Sequence, residues 1–161
     1  MTGGSPAERL LQSLGITEPG EIDLEAIAFH LNARVRYRPL DGCEARIIGL
    51  SDTAIITVKD TSSSRRRRFS IAHELGHWRY DRGKMLVCRV EELHPRDQFS
   101  PERAADNYAA DLIMPRYIFQ PIARSYAKLN FKTVKAIADV FDTSWTATAI
   151  RLVESGHSPA I

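Results

Sequence analysis

One short segment constrains this chain more than any other: His73-Glu74-Leu75-Gly76-His77. Because an α-helix turns once in about 3.6 residues, His73 and His77 lie on one face of a helix and can hold one metal ion. Glu74 then lies beside that ion, where its carboxylate can act as a general base toward water. The pattern therefore predicts a helix that carries two ligands and the base of a zinc-dependent peptidase.

Apolar and aromatic residues flank this segment on nearly all sides of the predicted helix. They are Phe69, Ile71, Ala72, Leu75, Trp78 and Tyr80. A helix surrounded in this way belongs in the core, where an imidazole without a hydrogen bond or a metal is costly. The alternative is a pair of hydrogen-bonded core histidines with Glu74 at the surface. We favour the metal site.

A catalytic zinc ion usually has three protein ligands and one open position. The pattern with a third histidine requires glycine at position 80 and histidine at position 83, but the chain has Tyr80 and Gly83. Glu102 is the leading candidate instead, and Asp106, one helical turn later, can accept a hydrogen bond from a ligand histidine. The simpler roles are a glutamate that complements the helix dipole and an aspartate in a surface ion pair. The other candidates for the third ligand are Cys88, Glu91, Glu92, His94 and Asp97.

Small side chains predict that the helix after Glu102 packs closely against the His73 helix. They are Ala104, Ala105, Ala109 and Ala110. Close approach of the two helices is what a carboxylate from one of them needs in order to reach a metal held by the other.

The composition is that of an ordinary soluble globular protein, because 43% of the 161 residues are hydrophobic and 26% are charged. No apolar run approaches the roughly 20 residues of a membrane span. The first residues lack the features of a secretory signal, which predicts a cytoplasmic location. Cys43 and Cys88 form no CxxC pair, so we expect two free thiols in a reducing compartment.

Capping residues and periodicity predict an α+β fold that is mainly helical, with a small three-stranded antiparallel sheet. We expect one domain over residues 1–161. Within it, residues 5–60 form N-terminal helices and the sheet, residues 67–82 the HExxH helix, residues 101–114 the helix of the third ligand, and residues 117–155 the C-terminal helices.

Two blocks of this sequence, RRRRFSIAHELGH and ERAADNYAADLIMP, resemble the ImmA/IrrE family of bacterial and phage metallopeptidases. That family is marked by RFxxAHELGH and by a later glutamate-rich helix of the type A-N/D-x-F/Y-A-A-x-L-L/I-M-P. The resemblance extends from the first helices to about Arg151. It implies a zincin-like core in which HExxH is combined with a glutamate from the next helix.

Residue by residue, the resemblance implies that His73, His77 and Glu102 hold Zn²⁺, with Mn²⁺ as the alternative ion, and that Glu74 is the general base. Members of the family commonly cleave helix-turn-helix repressors of phage, mobile-element or stress-response genes. The resemblance thus implies a regulatory protein as the substrate.

The chain departs from many members of that family at two positions. It has Ala104 where they have a second glutamate, and Asp106 where they have asparagine. The first departure favours Glu102 as the ligand, and the second makes the arrangement closer to the ExxAD pattern of other zinc peptidases.

The strongest alternative function is a DNA-binding regulator, because residues 135–144 and the helix after them superficially resemble helix-turn-helix. A recognition helix exposes Arg, Lys, Asn or Gln near its start, whereas Trp145, Thr146 and Ile150 look like packing residues. A salt-dependent DNA-binding titration would distinguish the two functions.

Two further groups of residues have open roles. Tyr80, Tyr108 and His94 are candidates for stabilising the oxyanion of the transition state, although each is also plausible as a core or surface residue. The basic run Arg65-Arg66-Arg67-Arg68 is typical of a solvated loop, and contact with an acidic partner or with phosphates is the alternative.

Overall fold

The computed structural model describes residues 3–80 and 100–156. Within these residues the predicted α+β class is confirmed, with seven α-helices and one sheet of three strands. The chain forms two compact units, Asp23–Ala109 and a second unit made of Met1–Ile22 with Ala110–Ile161. The single-domain organisation over residues 1–161 stays a prediction.

The elements follow one another along the chain in the order α1 (Pro6–Ser13), a 3-10 helix (Pro19–Glu21), α2 (Leu24–His30), β1 (Ala33–Arg38), β2 (Ala45–Leu50), β3 (Thr53–Lys59), α3 (Ser64–Tyr80), α4 (Pro101–Ile113), α5 (Arg116–Arg124), α6 (Phe131–Phe141) and α7 (Trp145–Glu154). The predicted boundaries are accurate to a few residues. The largest difference at the start of a helix concerns α3, which begins at Ser64 instead of residue 67, while its predicted end at residue 82 lies outside the described residues.

The sheet is mixed, so the prediction of a purely antiparallel sheet is wrong. Its strand order is β1-β3-β2; β2 pairs antiparallel with β3, and β1 pairs parallel with β3. The physical reason lies in the strand sequences. β3 is the most buried strand and lies at the centre of the sheet, where both of its edges are paired. In β1 every second residue is an exposed arginine, and this strand lies at an edge of the sheet.

One face of the sheet packs against helices α2 and α3. Ile47, Ile56 and Val58 point to this side and are buried. Gly49 makes room for an indole, because a Cβ atom built there would lie 2.8 Å from Cζ3 of Trp78. The Trp78 indole nitrogen in turn donates a hydrogen bond of 2.8 Å to the carbonyl oxygen of Leu31. These contacts fix α3 against the sheet.

In the other unit, buried charged side chains connect distant parts of the chain. Glu8 forms the predicted capping box with Ser5, and its second carboxylate oxygen accepts a 2.9 Å hydrogen bond from the backbone nitrogen of Arg116. Arg151, which is 3% exposed, donates to the Met114 carbonyl oxygen and to the Asp111 carboxylate. Each of these helix ends is therefore satisfied by a side chain from another element.

The two cysteines do not match the sequence prediction. Cys43 is disulfide-bonded, so the expectation of two free thiols is wrong. The other cysteine, Cys88, lies outside the described residues. Nothing in the local sequence around Cys43 distinguishes a bonded cysteine from a free one, because pairing depends on three-dimensional distance. The inference from free thiols to a reducing compartment no longer holds.

None of the helices in residues 3–80 and 100–156 combines the length and the apolar character that a membrane span requires.

Candidate metal centre

Helix α3 positions three residues of the candidate site. Glu74 and His77 are buried, and the side chain of His73 is 18% exposed. The same helix buries Ile71, Leu75 and Trp78, which agrees with the predicted core position of this helix. Two flanking aromatic residues differ from the prediction, since Phe69 and Tyr80 are 38% and 50% exposed.

Helix α4 approaches α3 as closely as its alanines predict. A Cβ atom built on Gly76 would lie 2.7 Å from the Cα atom and 2.9 Å from the carbonyl oxygen of Ala105. No side chain fits between the two backbones at this point. The sequence interpretation missed the role of Gly76, although a glycine in the middle of a buried helix is a signal of close backbone approach.

This close packing brings the side chain of Glu102 to the two histidines. Its Oε2 atom lies 2.9 Å from Nε2 of His73, and its Oε1 atom lies 3.0 Å from Nε2 of His77. The two Nε2 atoms are 3.1 Å apart. One ligand atom from each residue can be chosen so that all three lie within 4.8 Å of one another.

These distances fit a zinc ion after a small expansion. Ligand atoms held roughly 2.0–2.2 Å from a tetrahedral zinc ion are separated by roughly 3.3–3.5 Å. The 3.1 Å between the two Nε2 atoms is only a few tenths of an ångström shorter, and each of these nitrogens lies 2.9 or 3.0 Å from a different oxygen of Glu102. Two imidazoles and one carboxylate are also a ligand set of catalytic zinc sites, which leave a fourth position open.

Asp106 contacts the ring nitrogen of His73 that faces away from Glu102 and His77. Its Oδ1 atom lies 2.8 Å from Nδ1 of His73, as predicted for a residue one turn after Glu102. With the proton on Nδ1 donated to Asp106, the Nε2 atom directs its lone pair toward Glu102 and His77.

The charges around His73 act on its pKa in opposite directions. Burial lowers the pKa of His73, but the hydrogen bond with Asp106 and the negative charges of Glu74, Asp106 and Glu102 together raise it above its ordinary value. The His73 ring is therefore surrounded by negative charges, which favour its protonated form or a metal cation bound beside it.

Glu74 is buried and lies near two of the same charged groups, His73 and Glu102. Burial, opposed by the His73 imidazole and assisted by the negative charge of Glu102, raises the pKa of Glu74 to about 7. Such a carboxylate can take up and release a proton near neutral pH.

Two of the three candidate oxyanion stabilisers lie close to each other. The Tyr80 and Tyr108 rings pack edge to face with centroids 6.1 Å apart. Tyr108 is buried, and this burial raises its pKa. The third candidate, His94, lies outside the described residues. So do the other competitors for the third ligand position, Cys88, Glu91, Glu92 and Asp97.

The basic run Arg65–Arg68 lies in helix α3 and not in a loop. Arg66 forms an exposed ion pair of 3.3 Å with Glu44. Arg67 lies over the Tyr37 ring, with its guanidinium carbon 4.9 Å from the ring centroid, and donates to the carbonyl oxygen of Asp60. These contacts offset the cost of placing cations at a helix N-terminus.

Helices α6 and α7 form the pair that resembles helix-turn-helix. Asp142 ends α6 in the left-handed conformation, and Ser144 caps α7. The exposed side chains of α7 are Trp145, Thr146, Ile150, Val153 and Glu154. Among them is no arginine, lysine, asparagine or glutamine, and Arg151 is buried. This surface lacks the donors of a recognition helix.

Comparison with known proteins agrees with this geometry. A solved structure named Mycobacterium tuberculosis transcriptional regulator is similar with a TM-score of 0.63 and 18% sequence identity, over 91% of this chain and 44% of that chain. This chain thus spans less than half the length of that regulator, and the likeness shows a shared fold. Comparison with curated proteins gives no match. The family model described as the IrrE N-terminal-like domain, Peptidase_M78, matches residues 28–153. That match covers well over half of the chain, and it agrees with the resemblance of the two sequence blocks. The chain therefore belongs to the IrrE N-terminal-like domain family.

Proposed function

We propose that this chain is a zinc-dependent endopeptidase in which His73, His77 and Glu102 are the metal ligands. One observation carries the proposal: ligand atoms of these three residues converge within 4.8 Å, beside the buried carboxylate of Glu74. The converging atoms are two ring nitrogens and a carboxylate oxygen, each of which offers a lone pair of electrons. A metal cation stabilises such a group of atoms, whereas an uncharged protein environment does not.

Bound Zn²⁺ supplies Lewis-acid chemistry, which lowers the pKa of water and polarises the carbonyl group of the scissile peptide bond. Glu74 accepts the proton of the attacking water and transfers it to the leaving amine. Its raised pKa, about 7 in the absence of metal, is near the value that suits a group with both tasks. Mn²⁺ prefers oxygen-rich sites, so we rank it behind zinc for a site with two imidazoles.

Positioning and oxyanion stabilisation are assigned to neighbouring residues. Asp106 orients His73 through the 2.8 Å contact with Nδ1. Tyr80 and Tyr108 are the described candidates for stabilising the oxyanion, because a phenol hydroxyl can donate a hydrogen bond. The raised pKa of Tyr108 keeps that hydroxyl protonated at neutral pH.

The proposed substrate is a helix-turn-helix repressor or a similar regulatory protein, as the resemblance to the ImmA/IrrE family implies. A cytoplasmic location belongs to this proposal because transcriptional repressors act there. Links to stress response and to phage or mobile-element regulation are part of the same proposal and rest on the same resemblance.

The test uses purified protein, stripped with a chelator and reloaded with Zn²⁺. It is incubated with a helix-turn-helix repressor encoded beside its own gene, and cleavage is followed by intact-mass spectrometry. We expect the loaded protein to cleave and the stripped protein to be inactive. Glu74→Gln should retain the metal but lose activity by a factor of about 10² or more.

The matched control is Glu154→Gln, which removes the same charge from an exposed glutamate at the end of α7. Its activity should equal that of the unmodified chain. Near-normal turnover of Glu74→Gln, or equal cleavage by the stripped protein, would contradict the mechanism.

A further inference from the structure

The sheet has a second face, opposite to the one that packs on α2 and α3. We call it the outer face. Because side chains alternate along a strand, it is made of the even-numbered residues of β1 and β2 and the odd-numbered residues of β3. Five of these residues are cations: Arg34, Arg36, Arg38, Arg46 and Lys59.

The strand register places these cations next to one another. Arg36 and Arg46 flank Thr57 from the two edge strands, and Arg38 is the partner of Lys59. Neighbouring strands are about 4.8 Å apart, and successive residues on one face about 7 Å apart along a strand. The five charges therefore share a small area, in a chain whose formal net charge is only +2.

At least one of these arginines is held in place. Arg36 donates a 2.9 Å hydrogen bond from Nε to the hydroxyl oxygen of Thr57. Thr57 is only 1% exposed although its strand faces outward at this position. The Arg36 side chain that reaches Thr57 contributes to that burial, because the aliphatic part of a long side chain can cover a short one.

No carboxylate lies among the strand residues of the outer face. Glu44 lies at its margin, immediately before β2, and pairs with Arg66 at 3.3 Å and with the Ser62 hydroxyl. Like charges on neighbouring strands destabilise a sheet. Their concentration here is a cost for the isolated chain, which an anionic partner would remove.

Aliphatic side chains continue the outer face beside the cations. Leu50 is 73% exposed, Ile55 42% and Ile48 37%. Ile55 is the register partner of both Arg34 and Ile48, so the apolar and basic areas are contiguous. Single-stranded nucleic acids are bound on aromatic side chains, and no strand residue of the outer face is aromatic. A basic area joined to an aliphatic one is complementary to an acidic polypeptide with apolar side chains.

We propose that the outer face is a docking surface for an acidic polypeptide segment that also presents aliphatic side chains. Its carboxylates pair with the five cations, and its aliphatic side chains cover Leu50, Ile55 and Ile48. The surface lies on the side of the sheet opposite to α3 and uses no residue of the candidate metal centre.

The test measures binding of labelled peptides to the full chain by fluorescence anisotropy. The probe has glutamates on one side and leucines on the other side of a helix. One comparison peptide replaces the glutamates by lysines, and another replaces the leucines by serines. We expect the first peptide to bind, the lysine peptide not to bind, and the serine peptide to bind more weakly. Binding should weaken with ionic strength.

Two variants locate the binding on the sheet. Arg34→Gln with Arg38→Gln should weaken binding by about tenfold or more, since two ion pairs at a partly desolvated surface are lost. Both arginines are edge-strand residues, and Arg36 with its bond to Thr57 is retained. Leu50→Ser with Ile55→Ser should weaken binding of the leucine peptide but not of the serine peptide. Zinc binding and thermal unfolding of each variant report whether the fold is intact.

The matched control for charge is Arg124→Gln with Lys132→Gln, two exposed cations outside the sheet. It should bind the probe as the unmodified chain does. An equal loss in this control, no binding of the probe, or tighter binding of single-stranded or duplex DNA than of the probe would each overturn the proposal. Glu74→Gln should bind the probe normally, so failure of the peptidase mechanism leaves this result unaffected.

Discussion

The two units of this protein each bury a charged cluster, and the clusters differ in how their hydrogen bonds are satisfied. Around Arg151, donors meet acceptors: Nε and one terminal nitrogen donate to the Met114 carbonyl oxygen, and that terminal nitrogen also donates to Asp111 at 2.6 Å. Around His73, by contrast, the Nε2 atom lies 2.9 Å from a carboxylate oxygen of Glu102, and with the Nδ1 proton donated to Asp106 it has no proton to offer that oxygen unless the ring is protonated.

The difference distinguishes a structural ion pair from a candidate metal site. The Arg151 cluster has the donors that it needs, so it is complete without a ligand. The cluster of His73, His77 and Glu102 places two ring nitrogens and a carboxylate in mutual contact, an arrangement that a protonated His73 or a bound metal ion stabilises. Buried charge alone does not reveal a site, but a deficit of donors does.

Breaking the complete cluster should have the largest effect on stability. Arg151→Met leaves Asp111 buried without its partner, and we expect a loss of about 3–5 kcal/mol in the free energy of unfolding, measured by urea denaturation. The double variant with Asp111→Leu should recover much of that loss. If Arg151→Met were as stable as the unmodified chain, the Arg151 cluster would not be stabilised by its own donors and acceptors.

Changes in the cluster of His73, His77 and Glu102 should alter the affinity for zinc. Glu102→Ala removes the only described carboxylate ligand, and we expect zinc affinity to fall by more than the roughly 10- to 100-fold typical of a residue that only hydrogen-bonds a ligand. Competition with a chelating dye measures it. Alanine at Glu91, Glu92 or His94 should leave the affinity unchanged; full occupancy of Glu102→Ala would place the ligand elsewhere.

The contact between Asp106 and His73 should have an intermediate effect. Asp106→Ala removes the acceptor at Nδ1, and we expect zinc affinity to fall by roughly 10- to 100-fold without a change in the number of ligands. Asp106→Asn retains an acceptor oxygen and should lose less. Equal losses for the two variants would show that charge, and not ring orientation, is what Asp106 contributes.

The smallest effect is a pH dependence of the stability of the metal-free protein. The folded chain raises the pKa of Glu74 to about 7, so the folded state binds a proton more readily than the unfolded state does. Stability should therefore rise by about 1 kcal/mol when the pH falls from about 8 to about 6. The raised pKa of His73 acts in the same direction, because its contribution is lost as the pH rises through the folded value.

Thermal unfolding in the presence of a chelator measures this dependence. Glu74→Gln should remove the part that comes from Glu74 and reduce the part that comes from His73, because the negative charge of Glu74 is one of the causes that raise the pKa of His73. A metal-free protein that is more stable at the higher pH would contradict both shifts.

Much of the local structure could be predicted from the sequence because it depends on neighbouring residues. Ser5, Asp23 and Ser144 cap helices as their positions predict. Glu102 was favoured from the alanine-rich helix, from Asp106 one turn later and from the family resemblance, and the structure does bring its carboxylate close to the two histidines. Family membership, predicted from the two sequence blocks, is confirmed by the match over residues 28–153.

What the sequence did not reveal depends on long-range pairing. Alternation identifies a strand but not its partner, so the parallel pairing of β1 with β3 was missed. The notch at Gly49 that receives Trp78 joins residues far apart in the chain, and whether Cys43 forms a disulfide depends on three-dimensional distance. The basic outer face was equally hidden, because its cations come from three strands whose order was unknown.

The contact between Gly76 and Ala105 has a consequence for how this protein can evolve. A methyl group at position 76 would meet backbone atoms at 2.7 Å, whereas carbon atoms in contact are usually about 3.5–4.0 Å apart, so α4 would have to shift by roughly 1 Å. Metal ligands tolerate displacements of only about 0.2 Å. Any larger residue at position 76 would therefore displace Glu102 from His73 and His77, so this glycine is a point at which one substitution separates the proposed ligands.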